Sequence, residues 1–151
     1  MNKMIFRLIL FGFGLVMKTA FFITSIKDRA FKSRIQNNTF IIQVKMRDEN
    51  RGRFYKLDNG KFTSRGKISP ESPGILIEWK DASTALKTLL TRNLKVLYLS
   101  LTDAITSNQL SLEIDHAQTY SFLETMKEMA MVYSGLLPVL QKIMGAPKMA
   151  S

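Results

Sequence analysis

From Phe40 onward the apolar positions alternate. "TFIIQVKMR" sets Phe40, Ile42, Val44 and Met46 on one face and Gln43, Lys45 and Arg47 on the other, the two-residue repeat of a half-buried strand. "RGRFYKLDNGKFTSRGKI" reads as two more strands joined at Asp58-Asn59-Gly60, since Asn-Gly is the strongest short hairpin signal. Pro70 and Pro73 interrupt the pattern, and "GILIEW" resumes it with Ile75, Ile77 and Trp79 inward. Four strands in succession predict an antiparallel meander. At Asp81 the period changes to that of a helix. Ala82, Ala85, Leu86, Leu89 and Leu90 recur at three-and-four spacing behind an Asp able to cap the first turn.

"LKVLYLSLTDAITSN" could be a strand on its Val, Leu and Tyr content, but a stripe through Leu94, Leu97, Leu101, Ala104 and Ile105 predicts a helix. "QLSLEI" follows as a fifth strand with Leu110, Leu112 and Ile114 facing in. Asp115 with Gln118 three residues on has the form of a capping box, opening a closing helix striped by Tyr120, Leu123, Met126, Ala130 and Tyr133. Ser134-Gly135 and Pro138 break that helix, and a short apolar segment runs on to Gly145 and Pro147.

Ahead of the first strand stands "MIFRLILFGFGLVMKTAFFITSI", interrupted only by Arg7 and Lys18. A transmembrane helix needs ~20 largely uncharged residues, and the uncharged run from Leu8 to Met17 is half that, so spanning requires Arg7 and Lys18 to snorkel. Cleavage after Ala20 as a signal peptide is disfavoured by Lys18 at the third position before the cut, where a small residue is wanted. At roughly 100° per residue, Lys3, Arg7, Gly14, Lys18, Ser25, Arg29 and Lys32 fall within about a quarter-turn of one long helix. A wide apolar face with a basic edge is what a helix lying on anionic lipid presents, and part of that face can also pack on the domain's own core. The expected division is therefore 1-34, a basic amphipathic membrane-surface anchor, and 35-151, a single folded domain able to stand without it. Lys3, Arg7, Lys18, Arg29 and Lys32 are the expected membrane contacts.

Composition agrees with one domain of common size: 151 residues, 46% hydrophobic and 23% charged. The formal charge of +10 favours an anionic partner, lipid headgroup or nucleic acid. Seven Lys and Arg against Asp28 alone make the first 34 residues the most basic part. With no cysteine there is no disulfide, thiolate nucleophile or zinc knuckle.

Catalytic candidates are few. His116, the sole histidine, adjoins Asp115, but capping explains the pair better than a dyad does. Asp48-Glu49 belong to a turn with Asn50, no acidic or His cluster has metal spacing, and "GFG" at Gly12 to Gly14 follows no strand. No enzyme activity and no cofactor are expected. Nucleic acid is the rival partner, because Arg51, Arg53, Lys56, Lys61, Arg65 and Lys67 interleave with Phe54, Tyr55 and Phe62. Alternation argues against it: Tyr55 and Leu57 share one face, Phe54 and Lys56 the other, which leaves at most one or two rings outside.

The basic meander, "LIEWKDASTAL", a second helix, "NQLSLEIDH" and a final amphipathic helix together resemble the sterol carrier protein family (type two), in its bacterial single-domain form, over roughly residues 38 to 130. Ser107, Asn108 and Gln109 stand where that family usually has a Gly-rich turn. The resemblance implies an α+β fold, a five-stranded, largely antiparallel sheet covered by helices enclosing an apolar pocket. It implies non-catalytic binding and presentation or transfer of a sterol, acyl chain, phospholipid or isoprenoid, with Leu97, Leu101, Ile105, Leu112, Ile114, Leu123 and Met126 lining the site. Nine methionines, five of them from Met126 onward, suit an adaptable wall. A cytoplasmic protein peripheral to the membrane is expected, with docking on a membrane enzyme of lipid or quinone biosynthesis as the alternative role.

Overall fold

The computed structural model describes residues 1–91 and 93–132. Its elements are α1 (Asn2–Lys27), α2 (Phe31–Arg34), β1 (Phe40–Met46), β2 (Gly52–Asp58), β3 (Lys61–Arg65), β4 (Ile75–Trp79), α3 (Ala82–Leu89), α4 (Leu94–Thr106), β5 (Leu110–Ile114) and α5 (His116–Val132). This is an α+β architecture, with five helices and one five-stranded sheet among the described residues, the strands in the order β3-β2-β1-β4-β5. The end of the closing helix expected at Tyr133 and the segment through Pro147 lie outside the described residues.

The first three strands form the expected meander, turning at Asn59 (φ 51°) and Gly60 (φ 75°), where the left-handed backbone suits Asn-Gly. The fourth does not continue it. β4 lies parallel to β1, with Ile42 opposite Ile75 and Met46 opposite Trp79, and β5 pairs antiparallel on its far side. The chain between β3 and β4 crosses the outer sheet face instead of turning back. There the Ser69 amide donates to Gln43 Oε1 at 2.7 Å, Gln43 Nε2 donates to the Arg53 carbonyl at 3.2 Å, and Lys56 pairs with Glu71 at 2.6 Å. That cover buries Ile41, Gln43 and Phe54 on the face that alternation assigns to solvent.

The inner face carries Phe40, Val44, Met46, Tyr55, Leu57, Phe62, Trp79 and Leu110, joined in one core with Phe6 and Phe21 of α1, Phe31 of α2, and Ala82 and Leu86 of α3. α1 is thus bound into the domain along its length. Its inner side places Gly14 so close to β3 that a Cβ there would collide with Ser64 Oγ. Tyr55 donates its hydroxyl to the Leu10 carbonyl at 2.7 Å, and Phe21 stacks on Phe62 with ring centroids 5.0 Å apart. The helix stops earlier than the basic stripe requires. Asp28 adopts extended backbone (φ −133°, ψ 105°), accepts the Ala30 amide at 3.0 Å and pairs with Arg34 at 2.7 Å. Arg29 and Lys32 therefore do not continue the stripe of Lys3, Arg7 and Lys18.

The cap expected at Asp81 forms, a further one appears at Asn93, and the expected box at Asp115 forms only in part. Asp81 accepts the Thr84 amide at 2.8 Å and Asn93 the Val96 amide at 2.9 Å. At α5 the Gln118 amide donates to Asp115 at 3.4 Å, but the reciprocal half of the box is absent. Gln118 Oε1 accepts the Ile41 amide of β1 at 2.9 Å, and the Asp115 amide donates to the Gly74 carbonyl. The side of α5 that meets the core is shifted accordingly. Thr125 is fully buried, accepting from Asn38 Nδ2 at 3.1 Å, and Phe122 meets Phe40 edge-on, whereas Tyr120 and Leu123 of the expected stripe are exposed.

Candidate functional site

Cross-strand register sets up the inner face as rows. Tyr55, Ile42, Ile75 and Ile114 form one; Val44, Ile77 and Leu112 a second; Met46, Trp79 and Leu110 a third. The third row is sealed, with Trp79 and Leu110 buried and the Gln109 amide donating to the Ala104 carbonyl at the foot of α4 at 2.8 Å. The other two rows lose their cover towards the sheet edge. Leu112 is 50% exposed and Ile114 53%, although both sit on the face that builds the core. The two helices divide the remaining surface: α4 packs on α3 and β5, and α5 on β1, α1 and α2.

Of the residues expected to line a lipid site, Leu101 and Met126 both pack against the common core, and Leu97 is half-buried. Ile105 and Leu123 turn their apolar surface outward along with Leu112 and Ile114. Thr119 Oγ1, one turn from Leu123 on α5, is buried with no hydrogen-bond partner among the described residues.

Two crevices lie elsewhere, both against α1, and neither is lined by those seven residues. One of about 190 Å³ is bordered by Phe6, Arg7, Val44, Glu49 and Arg53. The other, of about 330 Å³, lies among Lys18, Phe22, Ile26, Lys32 and Lys61. Of the expected membrane contacts, Lys3 pairs with Asp48 at 3.5 Å and Arg7 with Glu49, while Lys18, Arg29 and Lys32 are exposed. What counting basic positions missed is the apolar stripe on the outer side of α1: Met4, Leu8, Phe11, Leu15, Phe22 and Ile26, every one exposed. They recur at helical spacing within about a quarter-turn, so the same angular count applied to apolar residues finds them. α1 is long and apolar enough to cross a membrane by length and composition. Crossing would strip Phe6, Phe21 and Thr24 from the core they occupy.

The electrostatics around these surfaces are structural. Burial pushes the Glu78 carboxyl up, but Lys45 and Arg47 on either side hold it below its ordinary value. His116 is exposed at the first residue of α5, and no group of three His, Asp or Glu among the described residues could hold a metal ion.

No family model and no curated protein matches the chain. Solved structures similar to it include one described as a UbiJ-SCP2 ubiquinone synthesis protein, at 16% identity and TM-score 0.45, covering 81% of this chain and 96% of that one. The sterol carrier protein domain 2 of Helicoverpa armigera is 11% identical with a TM-score of 0.38, covering 81% of this chain and 88% of that one. The stereoselective inverting sec-alkylsulfatase Pisa1 from Pseudomonas sp. also aligns, at 12% identity and TM-score 0.35, covering 67% of this chain and 14% of the enzyme.

Proposed function

We propose that this chain is a non-catalytic lipid-binding module that holds an apolar ligand against the Leu112 and Ile114 side of its inner sheet face and works peripherally at a membrane surface. The observation that carries it is the pair of rows that run from sealed core to half-exposed Leu112 and Ile114 without a change of face. An acyl or isoprenoid chain laid there completes the rows. Each methylene it buries contributes about 0.8 kcal/mol, so the site works without a charged or catalytic group. Met126 and Met129 on α5, which touch the same core, can adjust to chains of different shape.

The test is native mass spectrometry of the full chain purified without detergent, followed by solvent extraction, then displacement of a fluorescent fatty acid from Leu112→Asn and Ile114→Asn. Because both side chains are half exposed already, each substitution should leave the melting temperature within a few degrees while weakening probe binding several-fold. An empty protein, together with probe affinity that neither substitution changes, defeats the proposal.

A further inference from the structure

The crevice beside the C-terminal half of α1 carries a second, more specific reading. We propose that it seats the phosphate headgroup of an anionic phospholipid in a bilayer, with α1 lying along the bilayer surface. This rests on the membrane-surface part of the function above.

Three lysines from three elements converge on the crevice: Lys18 of α1, Lys32 of α2 and Lys61 of β3. Their arrangement is built rather than incidental. The β2–β3 turn presses on α2 and the turn that follows it: a Cβ added to Gly60 would come within 3.0 Å of Lys32 Cγ in α2, and Gln36 Nε2, just past the helix, donates to Asn59 Oδ1 at 3.2 Å. Several other basic side chains pair with carboxylates, Lys3 with Asp48, Arg7 with Glu49, Arg34 with Asp28 and Glu128, Lys45 and Arg47 with Glu78, Lys56 with Glu71, but none of these carboxylates lines the crevice. Lys18, Lys32 and Lys61 have no carboxylate partner among the described residues. An anion from outside the chain is the missing counter-charge.

The floor selects which anion. Phe22 and Ile26 line the crevice and also belong to the outer stripe of α1, at 66% and 65% exposure. Free phosphate or a nucleic-acid backbone would meet the lysines and leave those side chains in water. A phospholipid satisfies both halves, since its phosphate reaches the ammonium groups while its glycerol and acyl region receives Phe22 and Ile26. The volume of about 330 Å³ is at the small end of ligand sites, roughly 300–1,000 Å³, as suits a headgroup rather than a whole lipid. The stripe continues from there to Met4, along a 26-residue helix roughly 39 Å long. One headgroup seat therefore fixes the end of a long apolar contact.

The test uses the full chain and flotation with phosphatidylcholine vesicles, with or without phosphatidylglycerol. The triple variant K18Q/K32Q/K61Q is set against K67Q/K80Q/K87Q, which removes equal charge from other exposed lysines. At about fivefold per surface lysine, the crevice variant should lose on the order of 100-fold in binding to the anionic vesicles, and the control several-fold at most. A third variant, Phe22→Ser, should lose binding with its lysines intact. Equal losses in the two triple variants mean a diffuse basic surface and overturn the site. So does undiminished flotation of Phe22→Ser, which would mean that the lysines meet a phosphate alone, or preferential crevice-dependent binding of single-stranded DNA. Extracted lipid is measured on the same preparations. Wild type that carries lipid with no difference between the triples sinks the headgroup site alone, whereas protein without lipid that still floats through the crevice sinks the Leu112–Ile114 reading alone.

Discussion

Neighbouring phenylalanines on α1 face opposite ways, and replacing each with Ala measures how firmly the helix belongs to the domain. Phe21 is 5% exposed, stacks on Phe62 at 5.0 Å and lies tilted against Phe31 at 6.1 Å. Truncating such a ring removes its transfer free energy and leaves a cavity, about 3–5 kcal/mol for Phe→Ala. Loss of ring-on-ring geometry, roughly 0.5–1.5 kcal/mol, pushes Phe21→Ala to the upper part of that range. Phe22, on the solvent side, should stay within about 0.5 kcal/mol of wild type, helped by alanine's better helix propensity. With a urea slope of about 2 kcal/mol per molar, the midpoints of the two variants should differ by about 2 M. Fluorescence of Trp79, the sole tryptophan and buried in the shared core, reports the transition. Coincident midpoints would refute the docking of α1 on β2 and β3. They would agree with residues 1-34 as an anchor separable from the rest.

Two glycines should respond with opposite sign. Gly60→Ala places a side chain at φ 75° against Lys32 and should cost about 1–2 kcal/mol, whereas Gly12→Ala, mid-helix with open space at its Cβ, should gain about 0.5–1 kcal/mol; chemical unfolding of both checks the turn and the outer side of α1 together. Burial pushes the Tyr55 phenol up to about 12 from its ordinary 10.0, so its neutral form is the one the fold favours. The stability this represents is complete below pH 10 and is lost as pH rises towards 12, so stability measured across that window should fall less steeply in Tyr55→Phe than in wild type, and identical slopes would contradict the burial.

Local chemistry along the chain determined most of the elements. Alternation located all five strands, Asn59-Gly60 the hairpin, Asp81 the start of α3, and the continuous stripe through Ala104 and Ile105 decided helix over strand for α4. These depend on neighbours a few residues apart, which is the range a sequence displays. The course of β4 was decided at longer range. A strand entering beside β1 from either end shows the same alternation, and only the segment crossing the outer face, tied down through Gln43 and Glu71, selects the parallel pairing. The rotation of α5 follows the same logic. Polar residues count as solvent-facing in a periodicity argument, yet Gln118 and Thr125 turn inward because Ile41 and Asn38 supply their hydrogen bonds, and that swings Tyr120 and Leu123 out. On α1 the sequence displayed a helix apolar nearly all round with basic residues on one edge. Tertiary packing alone determined that one apolar side would meet Tyr55 and Phe62 while the other, from Met4 to Ile26, stayed open, because burial of a helix face depends on which surfaces the remainder of the chain leaves free to receive it.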